Sequence, residues 1–238
     1  KNFLKKNNFI NKEWNALKLL NKNGEFLNKH EGKEIVNYYK NKKFKFSKVD
    51  ELGTSIKLKN SINQHIKYVL NLELVKTKKI KSKKLKIVVD AVNSTGGIII
   101  PKLLKKLNID VVELYCEPNG DFPHNPEPLK KNLKDLSQKV IECGADMGIA
   151  VDPDVDRLVF VCENGEIFGE ENTLVACADY VLSKNPGSTV SNLSSSIALR
   201  DITEKYNQTH FYSAVGEVNV IEKMKKVNAV IGCLLYTS

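Results

Sequence analysis

Asp146-Met147-Gly148-Ile149-Ala150-Val151-Asp152-Pro153-Asp154-Val155-Asp156-Arg157 is the stretch that decides the fold of this chain. Its first half reads as a short buried strand, and its second half sets three aspartates between Pro and Val. In open α/β sheets the ligand loops lie beyond the carboxyl ends of the strands. The pattern therefore predicts an α/β fold with an acidic loop at its working edge. Three carboxylates that close repel one another and resist desolvation unless something positive sits among them. Carboxylate oxygens are the ligands that Mg²⁺ and Ca²⁺ prefer. An EF-hand would need a following Gly and a later bidentate Glu, and neither occurs at the required spacing. A plain solvated turn would not need Arg157 between two apolar strands. Arg157 and Arg200 are the only arginines among 37 basic residues. An arginine where lysine is the default suggests that the fixed guanidinium fork is wanted, as in phosphate recognition. A divalent cation beside an arginine fits phosphate chemistry.

Outward from this loop the chain alternates strand and helix. Upstream, 85–90 reads as a strand, 98–107 as a helix, 111–115 as a strand and 129–143 as a helix. Downstream, 158–162 and 166–168 flank Glu163-Asn164-Gly165 as a hairpin, and 171–182 is a helix ahead of the break at Asn185-Pro186-Gly187. A second unit follows, with strand 189–193, helix 195–206, strand 210–212, helix 218–226 and a strand opening at 229–232. It stops before it could close a sheet. Ahead of 85 the pattern is least regular. Residues 13–20 read as a short strand or helix start, Asn23-Gly24 as a turn into 25–27, and 31–39 and 62–72 as helices. The charged run 76–84 is the expected linker.

The 238 residues, 42% of them hydrophobic, suffice for one large domain or two small ones. A net charge of +9 invites a nucleic-acid reading, but the excess is lysine, concentrated at 40–48 and 76–86, with no aromatics interleaved with arginine in a patch and no nucleic-acid motif. A solvated lysine-rich surface is the better account, and no nucleic-acid partner is expected. Cys116, Cys143, Cys162, Cys177 and Cys233 show no CxxC pairing, which fits reduced thiols in a cytoplasmic protein. No apolar run approaches a membrane span and no signal peptide is visible, so no membrane partner is expected. Lys1 in place of Met marks the chain as processed or a fragment.

Other motifs have plainer readings. Asn93-Ser94-Thr95-Gly96-Gly97 lacks the lysine of a P-loop and reads as a tight strand-to-helix turn, although its N–H groups could cradle an anion. The loop Asp121-Phe122-Pro123-His124-Asn125-Pro126-Glu127-Pro128 is braced by proline. Its His124 either contacts an anion or is structural. Ser194-Ser195-Ser196 is expected to cap the next helix.

Taken in order, five segments resemble the α-D-phosphohexomutases, the family of phosphoglucomutase, phosphomannomutase and phosphoglucosamine mutase. They are Glu13-Trp14-Asn15-Ala16-Leu17-Lys18, Val88-Val89-Asp90-Ala91-Val92-Asn93, the loop 121–128, the acidic loop 152–157, and Val215-Gly216-Glu217. The resemblance implies successive β/α-alternating domains with mixed sheets flanked by helices. Residues 1–80 would end the first domain, 81–186 would form the second with the metal loop, and 187–238 would begin the third. It implies an isomerase that moves a phosphoryl group from a phosphoserine to a hexose phosphate and back through a bisphosphate. Asp152, Asp154 and Asp156 would hold Mg²⁺, and Arg157 would steady the phosphoryl group. Lys18 would assist proton transfer at the sugar hydroxyl. His124, Gly216 and Glu217 would face the substrate.

Two departures stand out. Where the family carries its serine nucleophile, ten residues before the lysine, this chain has Asn8, and no Ser precedes Ser47. The end reads Cys233-Leu234-Leu235-Tyr236-Thr237-Ser238 in place of a sugar-recognition loop. Both ends are read as foreign or damaged sequence, and the expectation is a fragment inactive alone. The parent is expected to be phosphoglucosamine mutase-like and monomeric or homodimeric, with phosphomannomutase/phosphoglucomutase as runner-up. A non-catalytic relic that binds metal or sugar phosphate is the rival class. The first 80 residues are expected to pack poorly, because a sheet without its leading strands leaves an open edge.

Overall fold

The computed structural model of the chain describes residues 18–195 and 197–233. Asn8, the segment 13–17, Ser196 and 234–238 lie outside them. The first sheet holds β1 (Lys86–Asp90), β2 (Asp110–Leu114), β3 (Met147–Val151) and β4 (Leu158–Cys162) in the order β2-β1-β3-β4. β1 pairs parallel with β2 and β3, and β4 closes the edge antiparallel to β3. A strand covered on both faces must be apolar throughout. Alternate residues of β1 accordingly feed two cores. Ile87 and Val89 pack with Leu104 and Leu107 on one face, while Val88 packs with Leu136 and Val140 on the other. Helices Gly96–Lys106 and Lys134–Glu142 supply these side chains, with Leu107 at the C-terminal boundary of the first.

The second sheet is fully parallel, with β5 (Thr189–Asn192) between β6 (His210–Ser213) and β7 (Ile231–Cys233). Helices Glu170–Leu182 and Ala198–Lys205 contribute Ala178 and Leu199 to a core with Cys233. On the opposite face, Gly232 lies against Val220 and Met224 of helix Glu217–Val227. The mixed α/β architecture predicted from the strand–helix alternation is the one observed.

Several local expectations are corrected. The run 76–84 is not a bare linker: it forms helix Thr77–Ser82, whose Ile80 packs on the first core beside Leu70 of helix Ser61–Leu70. The first unit as folded therefore draws in residues ahead of 81. The helix expected over 129–143 begins instead as a 3-10 turn, Lys130–Asn132, before its α-helical part. The return strand of the hairpin is reduced to one bridge, Val161 to Ile167. Ser195 does not cap a helix, because the helix opens two residues later at Ile197 without a side-chain cap; its hydroxyl donates to Asn192 Oδ1 at 2.7 Å. Cys233 is no foreign tail residue but a buried member of β7.

Before residue 61 the described chain holds helix Lys29–Lys40, capped by Asn28 and Glu31, and a turn in which Leu20 bridges to Phe26. In chain order the first buried described residue is Ile66. Phe46, Val49, Ile56 and Leu58 are largely exposed.

One close approach fixes the edge where the site lies. A Cβ on Gly97 would come 2.1 Å from the backbone oxygen of Cys116, and backbone yields less easily than a side chain. Gly97→Ala is expected to destabilise the chain by about 1–3 kcal/mol, read as a lower urea midpoint with an unchanged slope.

Candidate metal and phosphate site

β3 ends at Val151 and hands the chain to Asp152, which is only 7% exposed. Asp152 Oδ1 accepts the N–H groups of Asp156 at 3.0 Å and Arg157 at 3.1 Å, and its carbonyl accepts that of Val155 at 3.1 Å. These bonds curl the loop tightly enough to put Val155 at φ 63, a region that β-branched residues avoid. Such strain persists only where neighbours over-determine it. Here the side chain of Val155 packs on the first core, and the hydroxyls of Ser94 and Thr95 donate to Pro153 O at 2.9 and 2.6 Å. The turn 93–97 thus braces the acidic loop, and both of its hydroxyls serve that brace.

The loop brings carboxylate oxygens of Asp152, Asp154 and Asp156 within 4.8 Å of one another, a group that could hold a metal ion. Lys18 joins them from the far end of the described chain. Its Nζ lies 2.6 Å from Asp154 Oδ2 and 2.6 Å from Asp156 Oδ2. Hydrogen bonds to Asp154 and then Asp156 push the ammonium pKa well above the ordinary lysine range. Burial pulls Asp156 upward, but Lys18 outweighs it and leaves that carboxyl below its usual range. Asp152, which Lys18 does not reach, behaves oppositely. Burial first, and the neighbouring aspartates after it, push its pKa up to about 7 against the opposing Arg157 N–H.

Arg157 is held from the side. Its Nη1 donates to Glu127 Oε2, and its Nε lies 4.0 Å from Asp152 Oδ2. Glu127 is itself fixed: its N–H donates to Asn125 Oδ1 at 3.0 Å, and its carbonyl accepts Asn132 Nδ2 at 2.8 Å. His124 anchors the same loop, with Nε2 2.9 Å from Asp90 Oδ2 and Nδ1 2.8 Å from Asn125 O. Both ring nitrogens are engaged within the protein. This engagement fits the structural alternative for His124. Burial lowers the His124 pKa, and Asp90 more than offsets this and raises it.

A cleft of about 690 Å³ opens between β4, helix Glu170–Leu182, helix Glu217–Val227 and β7. Lys18, Asp156, Arg157 and Glu217 share its wall over an apolar lining that includes Leu174 and Val220. Gly216 starts the last helix at φ 117 and sets Glu217 in its first turn. Burial raises the Glu217 pKa, with Lys18 opposing and Asp156 assisting. Glu127 and Glu170 were missed from sequence. Glu127 lay unremarked in the proline-braced loop, and Glu170 is visible only as the acidic start of a helix. Burial raises Glu170, and nearby Arg157 opposes the shift.

Residues 63–165 match the profile of phosphoglucomutase/phosphomannomutase alpha/beta/alpha domain II, and residues 170–233 match that of domain III. Two consecutive domains of one family, in family order, account for most of the chain. It belongs to the α-D-phosphohexomutase family. A phosphoglucomutase/phosphomannomutase of Thermococcus kodakarensis is 33% identical over 222 residues, 92% of this chain and 48% of that protein. A phosphoglucosamine mutase of Methanococcus maripaludis is 27% identical over 226 residues, again 92% of this chain and 49% of that protein. A crystal structure of a phosphoglucomutase/phosphomannomutase family protein from Burkholderia thailandensis superposes with a TM-score of 0.69 at 26% identity, covering 85% of this chain and 43% of that one. The phosphohexomutase chain described here spans about half the length of the curated relatives it matches. The hard oxygen donors of its triad, with an ammonium already drawn between two of them, fit a divalent cation.

The raised Asp152 carboxyl sets a pH dependence. With a folded pKa near 7 against an ordinary 3.8, its stability contribution is full below about pH 4 and is lost as pH rises through 7 in cation-free solution. A bound cation competes with that proton, so Mg²⁺ affinity should climb between pH 5.5 and 8, which calorimetric titration at the two pH values checks. The Arg157 clamp is also open to test. The chain has two arginines, so ¹⁵N-arginine labelling gives two side-chain Nε–H signals. Glu127→Gln should move the signal of Arg157 and spare that of Arg200.

Proposed function

We propose that this chain is the metal-binding and central part of a cytoplasmic, Mg²⁺-dependent phosphohexomutase. The reaction interconverts hexose 6-phosphate and 1-phosphate through a phosphoserine and a bisphosphate, with glucosamine phosphate as the preferred sugar. The observation that carries the reading is the meeting of the acid triad, Lys18, Arg157 and Glu217 around one cleft. Mg²⁺ on Asp152, Asp154 and Asp156 would neutralise charge developing on the transferred phosphoryl group. Arg157, steadied by Glu127, orients that group. Lys18 serves the proton of the sugar hydroxyl, and Gly216 and Glu217 lie where the sugar would rest. The partner is a small hexose phosphate, and the complete enzyme is a monomer or homodimer.

Two observations favour other readings. The 33% identical relative is a phosphoglucomutase/phosphomannomutase, which supports glucose or mannose phosphate as substrate. Asn8 at the nucleophile position supports a non-catalytic sugar-phosphate binder. A form of the protein extended to the length of its relatives, assayed on glucosamine, mannose and glucose 1-phosphates, separates the three. Highest kcat/KM on glucosamine 1-phosphate is expected. A preference for mannose or glucose overturns the choice of sugar, and no turnover on any of them favours the binder. The 238-residue chain by itself is expected to show no turnover, because Asn8 has no hydroxyl to carry a phosphoryl group.

A further inference from the structure

We propose that Lys18 is the built-in counter-ion of the acid triad, and that a divalent cation enters by exchange with its ammonium, releasing Lys18 to the cleft. The inference rests on the reading of Asp152, Asp154 and Asp156 as a cation site. The ammonium lies 2.6 Å from an oxygen of Asp154 and 2.6 Å from an oxygen of Asp156, two of the three candidate ligands. An ammonium and a metal ion cannot share that space, so one must leave.

The geometry makes the lysine the one that leaves. The side chains of Lys18, Asp154 and Asp156 are 42%, 46% and 53% exposed, and exposed pairs of this kind hold weakly. Asp152 is the buried member, outside the reach of Lys18, so the ammonium compensates the outer two carboxylates and leaves the inner one weakly matched by Arg157 Nε at 4.0 Å. A doubly charged ion coordinated by all three corrects that mismatch. An ammonium that turns away from the triad keeps a partner, because its Nζ already lies 5.9 Å from the centre of the Phe26 ring, which also lines the cleft.

The exchange changes what the cleft can bind. On the cleft wall Asp156, Glu170 and Glu217 stand against two cations, Lys18 and Arg157, and each of those cations is already engaged by carboxylates. An anionic phosphate meets a repelling surface. Exchange adds two positive charges and also frees one already present. Cation binding therefore precedes and promotes binding of the phosphate.

Calorimetric titration of MgCl₂ into the 238-residue chain, its Lys18→Met and Lys18→Arg variants, and Lys205→Met tests this. Lys205 pairs with Asp179 instead and serves as the control for lost charge. Losing two exposed ion pairs should tighten Mg²⁺ binding by about tenfold in Lys18→Met. Lys18→Arg and Lys205→Met should bind as the parent does. Thermal melts supply a second readout. Lys18→Met should melt lower than the parent without Mg²⁺ and show a larger upward shift with it, whereas a merely structural lysine would lower both melts alike. Equal or weaker Mg²⁺ binding by Lys18→Met overturns the exchange and leaves the cation site standing. No binding by any form, with no Mg²⁺-induced shift in melting, overturns both.

Discussion

Three carboxylates held at the end of a buried strand demand positive charge, and the surrounding structure is arranged around that demand. Asp152 gives the demand its force, because it is buried and spends one oxygen on the backbone of its own loop. That oxygen fixes the turn, the turn puts Val155 in the left-handed region, and the strain is held by Ser94 and Thr95 from the neighbouring strand's end. Asp154 and Asp156 project outward from the same curl, where Lys18 meets them. The loop is thus rigid at its base and open at its rim, which suits a site that must keep its ligands ready while its counter-ion changes.

Sheet topology decides who can reach this rim. β1, β2 and β3 are parallel, so the segments after Asp90, Leu114 and Val151 leave the sheet on one edge. Asn93 then ties two of those exits together: its N–H donates to Tyr115 O at 2.7 Å and its Nδ2 to Asp121 O at 3.0 Å. His124 closes the same connection onto the buried Asp90. The proline-braced loop becomes a stiff arm, and Glu127 on it meets Arg157 of the acidic loop. His124 thereby braces the arm that carries Glu127.

This explains what could be read from the sequence and what could not. β1 and β3 were legible because a strand in a covered parallel sheet is apolar on both faces, and both runs are short and bounded by turn residues. The acidic loop was legible because all its ligands sit within five residues on one strand end. Lys18 could be suspected only by resemblance, since 138 residues separate it from Asp156. Glu127 lacked even that signal: it lies 30 residues from Arg157, and its importance exists only through the loop that carries it. The run 76–84 misled for another reason. A six-residue helix with one inward apolar side chain, Ile80, is too short to show periodicity among lysines. Ser195 failed as a cap because the helix opens two residues later, with Ile197 at its N-terminal boundary.

The electrostatics of the whole chain and of the site point in opposite directions. The protein carries +9, which raises the local concentration of anions around it. Screening confines each surface lysine to a range of about 8–10 Å at ordinary ionic strength. Within the cleft the near charges govern, and these are carboxylates whose cations are already engaged. Lysine-rich surface therefore brings phosphates near the molecule without admitting them. Admission requires a change at the triad itself, and the group there that can move without unmaking the fold is Lys18. Its partners are half exposed, and the rigid backbone below it is held by Asp152, Ser94 and Thr95. A buried lysine in the same place would have to break the loop to leave. A more distant one would leave the two outer carboxylates unpaired. The intermediate placement lets the fold stand before the cation arrives and lets the cation in when it does.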